Sequence, residues 1–297
     1  MSNNFHSGFV AIVGRSNVGK STFLNYLLGE KIAITSSTKQ TTRNQIKGIY
    51  TSDQAQIVFI DTPGIFKPRH KLDEYMVNEA YTSLKDVDAV IFMISANEKR
   101  GAGDDHIIKL LHQVNCPVYL VINKIDQINP NALLEIMDQY RDEKWKDVYP
   151  ISALLGNNVN NLMEDLISTL PEGPQYYPED QLTDHPERFI VKEIIREKIL
   201  NLTREEVPHS VAVEINTMHF DGQTMNIDAN IIVNKKSHKG IIIGKNGLML
   251  KNIGVQARKD IERLTGEHVY LKLWVKVVEH WKDKLTTLKE YGYKKQK

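Results

Sequence analysis

The sequence predicts two domains, an α/β domain with a mostly parallel sheet followed by a smaller α+β domain. Strand-like and helix-like segments alternate through the first 170 residues, which predicts a parallel sheet with helices on both faces. Residues 170–180 then contain three prolines and one glycine, a composition typical of linkers. After this stretch the helices and strands follow a different order. We therefore place the domains at residues 1–170 and 187–297, joined by a linker at 171–186.

The composition supports two domains and is typical of a soluble protein. A chain of 297 residues with 41% hydrophobic and 25% charged residues is typical of a soluble two-domain protein. No apolar run approaches the roughly 20 residues that a membrane-spanning helix needs, so we expect a cytoplasmic protein. The net charge is −5 over residues 1–180 and +6 over residues 181–297. The single cysteine, Cys116, excludes an internal disulfide and a cysteine-based metal site, and we expect it to be a core residue.

A phosphate-binding loop is predicted between the first strand and the first helix. Residues 14–21 match the pattern G-x-x-x-x-G-K-[ST], with an apolar strand-like segment before them and a helix-like segment after them. In such a loop, successive backbone N–H groups form an anion site at a helix N-terminus. We expect Lys20 to reach the β- and γ-phosphates and the Ser21 hydroxyl to bind Mg²⁺. The residues predicted to contact the nucleotide are Gly14, Arg15, Ser16, Asn17, Val18, Gly19, Lys20 and Ser21.

A second motif follows the buried strand predicted at residues 57–60. It consists of Asp61, Thr62, Pro63 and Gly64, and we assign these residues and the following Ile65 to the nucleotide site. Asp61 can hold Mg²⁺ through water, and the Gly64 N–H can bond the γ-phosphate. Alone, this motif is an ordinary turn.

A third motif identifies the base. Asn123, Lys124 and Asp126 follow the strand predicted at 117–122, and a carboxylate at Asp126 can accept both the N1–H and the 2-amino group of guanine. Adenine lacks both donors and would leave the carboxylate desolvated and unpaired. Ser152 and Ala153 follow a later strand end, with a backbone N–H for the guanine carbonyl. The sequence therefore predicts GTP and GDP as ligands.

With these motifs, the first domain resembles translation-factor-type GTPases. The resemblance makes residues 39–44 the first switch loop, with Thr42 as the ligand of Mg²⁺ and γ-phosphate and Thr41 as the alternative. It assigns catalysis to Lys20, Thr42 and Gly64, and the metal to Ser21, Thr42 and Asp61. Ile65 stands where many signalling GTPases carry a water-positioning glutamine. Asn17 matches a position at which such enzymes bind potassium, and a purely structural asparagine is the equal alternative.

The second half has the order helix, strand, strand, helix, strand, with a terminal helix-like stretch. Its first helix, at residues 187–202, is expected to be amphipathic. Between the second strand and the following helix lies Gly244-Lys245-Asn246-Gly247. Eight Lys or Arg and two acids occur from residue 235 to residue 263, which suits contact with phosphates.

This half resembles a KH domain of the bacterial type. In KH domains a G-x-x-G loop clamps about four nucleotides of a single strand, because glycines allow close approach of the backbone. The predicted RNA-binding residues are Gly244, Lys245, Asn246, Gly247, Lys251 and Arg258.

The combination of P-loop GTPase domain, short linker and KH domain resembles the bacterial Era family of GTPases. The resemblance implies binding to the 3′ end of 16S ribosomal RNA, assistance in 30S subunit assembly, and peripheral association with the inner face of the cell membrane. It leads us to expect RNA affinity that depends on the bound nucleotide. Two alternatives remain: a GTPase whose second domain binds a protein or membrane surface, and a metabolic P-loop enzyme that phosphorylates a small molecule.

Overall fold

A computed structural model describes residues 5–36, 38 and 40–293, so Lys39 of the predicted switch loop lies outside the described residues. The chain forms two compact units. Among the described residues, the first comprises 5–33, 42–67 and 76–184, and the second comprises 34–36, 38, 40–41, 68–75 and 185–293.

The first unit is built on a six-stranded sheet. Its strands are arranged in the order β2-β3-β1-β4-β5-β6, and all neighbours are parallel except β2, which runs antiparallel to β3. Strands β3, β4 and β5 are buried throughout, as continuous apolar runs in a parallel sheet predict. The strand bounds are β1 His6–Val13, β2 Ile46–Thr51, β3 Ala55–Asp61, β4 Ala89–Ser95, β5 Val118–Asn123 and β6 Val148–Ile151.

Helices cover both faces of this sheet. One face of the strands packs with α3 and α4 in a core that includes Phe92 and Ile107. On the other, α1 packs against β2 and β3, and α5 against β1. The fold class predicted for this domain is confirmed. The helix bounds are α1 Lys20–Leu28, α2 Lys71–Thr82, α3 Ala102–Leu111, α4 Pro130–Gln139 and α5 Val159–Thr169.

Residues 171–184 belong to the first unit and pack along it in extended form. The Ser7 N–H donates to the Pro171 carbonyl, and the Ile49 N–H donates to the Leu182 carbonyl. The Gln56 side chain accepts from two consecutive N–H groups of this segment, those of Tyr176 and Tyr177. These bonds satisfy backbone groups that would otherwise lie unpaired at the edge of the unit.

The second unit contains a three-stranded sheet in the order β7-β8-β9. Strands β7 and β8 are antiparallel, whereas β8 and β9 are parallel. Helix α6 packs against β7 and α8, and α8 packs against β9. This arrangement confirms the predicted α+β class. The bounds are α6 Glu187–Leu202, β7 Val211–Phe220, β8 Thr224–Val233, α7 Lys236–Ile243, α8 Leu248–Thr265, β9 His268–Val277 and α9 Leu285–Glu290.

Two expectations for the second unit were wrong. One helix was expected between β8 and β9, but α7 and α8 both lie there, and Gly240 is inside α7. Helix α6 was expected to be amphipathic, yet its residues 190–200 are all buried. Its charged side chains tolerate burial because they are paired: Arg196 with Glu193, and Lys198 with Glu197 and Asp260.

Candidate nucleotide and nucleic-acid sites

The predicted phosphate-binding loop lies between β1 and α1, at the carboxyl ends of the parallel strands. Gly14 and Gly19 have φ angles of 157° and 107°. A Cβ atom at Gly14 would lie 2.2 Å from the Met93 carbonyl oxygen, and one at Gly19 would lie 2.0 Å from Asn123 Nδ2. Both glycines are therefore required by close approach as well as by backbone conformation. Lys20 Nζ donates to the carbonyls of Gly14 and Arg15, at 3.2 and 3.0 Å.

Three oxygen donors converge beside the first turn of α1. Ser21 Oγ donates to Asp61 Oδ2 at 2.6 Å and lies 3.1 Å from Thr42 Oγ1, which is 3.5 Å from the same carboxylate oxygen. The other oxygen, Asp61 Oδ1, is buried and has no hydrogen-bond partner within the described residues. Hydroxyl and carboxylate oxygens are the donors that Mg²⁺ prefers, so these residues fit that ion.

The two candidate threonines differ in where their hydroxyls are bonded. Thr41 Oγ1 donates to the Thr38 carbonyl at 2.7 Å, whereas Thr42 Oγ1 lies with Ser21 and Asp61. This geometry supports Thr42 over Thr41 as the metal ligand.

Burial sets the electrostatics of this cluster. It lowers the pKa of the Lys20 ammonium and raises that of the Asp61 carboxyl, while each charge partly offsets the shift of the other. A cation beside Asp61 and phosphates beside Lys20 would favour the charged form of both groups. A ligand that brings both a cation and phosphates would therefore stabilise the charged forms of Asp61 and Lys20.

The third motif holds the phosphate-binding loop in place through its first two residues. Asn123 Nδ2 donates to the Val18 carbonyl at 2.8 Å, and Lys124 Nζ donates to the Asn17 carbonyl at 2.6 Å. Lys124 has a φ of 68°, which turns the chain sharply at the end of β5. Both residues were predicted only as nucleotide ligands. Their role in holding the loop could not be predicted, because a contact between positions about 105 residues apart leaves no local pattern.

The base-recognition residues lie together at the next strand ends. Ser152 Oγ donates to Asp126 Oδ1 at 2.6 Å, which fixes the carboxylate. The Ala153 N–H, expected to face the guanine carbonyl, donates to Asn123 Oδ1 at 2.9 Å. This N–H can bond the guanine carbonyl only if it divides its hydrogen bond between the two acceptors or breaks its bond to Asn123.

The second motif approaches the phosphate loop closely. A Cβ at Gly64 would lie 2.8 Å from the Ser16 backbone nitrogen, so only glycine fits there. The Thr62 hydroxyl donates to the Ile12 carbonyl at 2.8 Å and is completely buried, which holds β3 against β1 and leaves only its backbone for a ligand. Ile65 is buried in the core with Phe92.

Two loop residues are engaged in ways their motif did not indicate. The Arg15 guanidinium pairs with Glu98 at 2.9 Å and with Asp104 at 3.0 Å. Asn17 has a φ of 66°, a left-handed conformation that asparagine tolerates better than most residues.

In the second unit, the G-x-x-G loop joins α7 to α8 through an unusual backbone. Gly244, Asn246 and Gly247 have φ angles of 71°, 52° and 76°. A Cβ at Gly244 would lie 2.6 Å from the Met249 Cβ, whereas a Cβ at Gly247 would meet nothing within 4 Å. Gly244 is thus required by packing, and Gly247 leaves open space at the start of α8.

A groove of about 440 Å³ lies beside this loop, between α8 and β9. The predicted residues Gly247, Lys251 and Arg258 line it, whereas Lys245 and Asn246 are at the loop tip outside the lining. The apolar walls of the groove were not predicted, because the spacing of apolar residues within one strand or helix does not show which other element it faces. These walls are formed by Leu250, Gly254, Val255, Val269, Tyr270, Leu271 and Leu273.

Comparison with known proteins places both sites in one family. Residues 9–124 match a family described as 50S ribosome-binding GTPase, and residues 206–282 match the KH domain. GTPase Era from Lacticaseibacillus paracasei is 57% identical over 290 residues, which is 97% of each chain. This chain belongs to the Era family of GTPases. Accordingly it is a GTPase, and the alternative of a small-molecule kinase is excluded.

Solved structures of Era agree over the whole length. A crystal structure of Era with MgGDPNP and nucleotides 1506–1542 of 16S ribosomal RNA has a TM-score of 0.94 at 43% identity, covering 97% of this chain and 99% of that one. A variant of Aquifex aeolicus Era bound to GDP·AlF₄⁻ has a TM-score of 0.92, with the same identity and coverage. The predicted membership of the Era family is confirmed.

Within the described ranges, no helix combines the length and the apolar character needed to cross a membrane.

Proposed function

We propose that this Era-family GTPase binds the 3′ end of 16S ribosomal RNA through the G-x-x-G loop and its groove, and that it assists 30S subunit assembly. The observation that carries the RNA assignment is the open backbone at Gly247 beside a groove with a basic rim. A strand can approach glycine closely, and Lys251 and Arg258 can neutralise its phosphates. The solved Era complex with nucleotides 1506–1542 supports the identity of the RNA.

We assign GTP to the first unit. The N–H groups of residues 14–21 and the Lys20 ammonium would hold the phosphates, and Asp126, fixed by Ser152, would read the guanine edge. Mg²⁺ held by Ser21, Thr42 and Asp61 would neutralise charge on the phosphates. The Gly64 N–H would bond the γ-phosphate.

Slow unassisted hydrolysis follows from Ile65. Its side chain has no hydrogen-bonding group and is buried in the core, so it does not orient a water molecule. A potassium ion at Asn17 would supply part of the missing charge stabilisation.

We propose further that RNA affinity depends on the bound nucleotide. By its contacts Thr41 belongs to the second unit and Thr42 to the first, so the covalent chain changes unit at the residue proposed to sense the γ-phosphate. Loss of that phosphate on hydrolysis releases switch segments in GTPases of this kind. Thermodynamic linkage then requires reciprocity. If replacing GDP by GTP raises the RNA affinity by some factor, bound RNA raises the affinity for GTP relative to GDP by the same factor.

The RNA assignment is tested by titrating RNA 1506–1542 against matched charge reversals. Lys251→Asp places an acid in the groove, and Lys259→Asp makes the same change on an exposed residue of α8 that does not line it. We expect Lys251→Asp to weaken RNA binding at least tenfold, and Lys259→Asp to weaken it far less. Equal effects of the two reversals would contradict a groove-bound RNA.

The coupling is tested by repeating the titration with GDP and with a non-hydrolysable GTP analogue. We expect the two RNA affinities to differ by about 5–150-fold, the usual range of allosteric coupling. Identical affinities would mean that the two sites are independent.

The domain bounds, the association with a membrane and the localisation are three further proposals, each with its own test. Cleavage by limited proteolysis at 171–186 would support separate domains at 1–170 and 187–297. Co-flotation with anionic vesicles would support peripheral membrane association. Fractionation with 30S particles rather than with membranes would support a cytoplasmic assembly factor.

A further inference from the structure

Strand β9 presents a stripe of alternating aromatic and basic side chains on the exposed face of its sheet. The β9 stripe consists of Tyr270, Lys272, Trp274 and Lys276, which share one face because side chains alternate along a strand. Tyr270 is 54% exposed and Trp274 is 58% exposed. β9 contains no acidic residue.

The two aromatic rings are held by neighbours on the same face. Trp274 Nε1 donates to Asp228 Oδ2 on β8 at 3.1 Å, so the one polar atom of the indole is satisfied within the sheet. Lys272 Nζ lies 5.4 Å from the centroid of the Tyr270 ring. The hydrogen bond restrains the Trp274 indole before binding, so a ligand that stacks on it loses less conformational entropy. A base that stacks on the same face of Tyr270 would displace the Lys272 ammonium toward the phosphates.

The stripe is continuous with the proposed RNA groove. β9 is an edge strand, and its inward residues form one wall of the groove. Tyr270 lines the groove and also begins the stripe. A strand that leaves the groove across the edge of β9 therefore meets Tyr270 first, and Trp274 lies four residues, about 13 Å, further along.

We propose that the β9 stripe is a second binding surface for single-stranded RNA, on which bases stack after the strand has left the groove. This inference rests on the proposed function of the groove. Exposed aromatic rings on a sheet offer stacking faces to unpaired bases, and the two lysines lie where phosphates would follow. The stripe would extend the bound length beyond the roughly four nucleotides that a G-x-x-G loop clamps.

The experiment compares a four-nucleotide RNA with a twelve-nucleotide RNA of the same 3′-end sequence. The full-length protein carries Tyr270→Ala, Trp274→Ala or the control Phe220→Ala, an exposed aromatic on the other edge strand, β7. We expect both stripe variants to weaken the longer RNA at least fivefold, the lower bound for one stacked base. Trp274 does not line the groove, so Trp274→Ala should leave the shorter RNA unchanged. Tyr270→Phe, which keeps the ring, should restore binding.

A second measurement reports stacking directly. Trp274 is the most exposed of the tryptophans, whereas Trp281 is completely buried. The longer RNA should therefore quench the tryptophan fluorescence of the wild type. The Trp274→Phe variant should lose this quenching. Replacing Lys272 and Lys276 by Gln should reduce the slope of log affinity against log salt by about 0.7 per lost phosphate contact.

The outcomes separate this inference from the function on which it rests. If Lys251→Asp, which places an acid in the groove lining, leaves both RNAs bound normally, the groove assignment fails. If that groove variant loses both RNAs while the stripe variants bind the longer RNA as the wild type does, the groove stands and the stripe is not an RNA surface. Sedimentation in which Trp274→Ala converts a dimer to a monomer, with RNA affinity unchanged, would also overturn the proposal and assign the face to a second copy of the chain.

Discussion

Asn123 joins the phosphate-binding loop to the base-recognition loop, and its removal gives the sharpest test of the nucleotide site. Its side chain is 2% exposed, donates to the Val18 carbonyl and accepts from the Ala153 N–H. The variant Asn123→Ala leaves both of these buried backbone groups without their partner. Each unsatisfied group costs about 1–3 kcal/mol, so we expect the first unit to lose about 2–6 kcal/mol of stability.

The same variant should bind nucleotide poorly. Both loops contact the ligand in the proposed complex, and neither would be held in the bound geometry before binding. We therefore expect a rise in the dissociation constant for GDP of at least tenfold, measured by titration with a fluorescent analogue.

Hydrogen exchange provides the stability measurement, because peptides from β1 and β5 report the opening of the first unit alone. Asn131→Ala is the matched control, since Asn131 is exposed on α4 and its truncation should change stability by less than about 0.5 kcal/mol. A loss below about 1 kcal/mol for Asn123→Ala, with normal GDP affinity, would refute the argument.

Three further outcomes are expected. Asp126→Asn should weaken GTP and improve xanthosine triphosphate, because the amide donates where the 2-oxo group accepts; unchanged GTP affinity in a titration would remove Asp126 from the base site. Hydrolysis by the wild type should be faster in potassium than in sodium, and Asn17→Ala should abolish the difference; equal wild-type rates in phosphate-release assays would leave Asn17 structural. Burial raises the pKa of the Cys116 thiol, so at neutral pH it should react with a thiol reagent more slowly in the folded than in the unfolded chain; equal rates would contradict that burial.

Where the sequence predicted well, the information was local. Residues 14–21 follow directly on β1 and run into α1, so backbone geometry and ligand chemistry follow from one short stretch. Helix α5 and strand β4 were predicted with the bounds they have, because continuous apolar runs and helical spacing within them are unambiguous.

Where prediction was incomplete, the information was non-local. Strand β2 was not identified, since an antiparallel edge strand next to a switch loop lacks the apolar run of the buried strands. Helix α7 was missed because Gly240 and three consecutive isoleucines resemble a turn and a strand more than a helix. The groove depends on β9 lying beside α8, which no single segment specifies.

Arg196 on α6 shows how a non-local contact can dominate a local pattern. The spacing of Glu193 and Arg196 places both on one helix face, and a charged pair at that spacing ordinarily indicates a solvent-exposed face. Here both are buried, and Arg196 also donates to the Thr41 carbonyl. Breaking such a buried pair costs about 3–5 kcal/mol, while a well-packed apolar replacement can be neutral, so the pair is better explained by specificity than by stability. The contact of Arg196 with the Thr41 carbonyl lies within the second unit, one residue before the proposed γ-phosphate ligand in the chain.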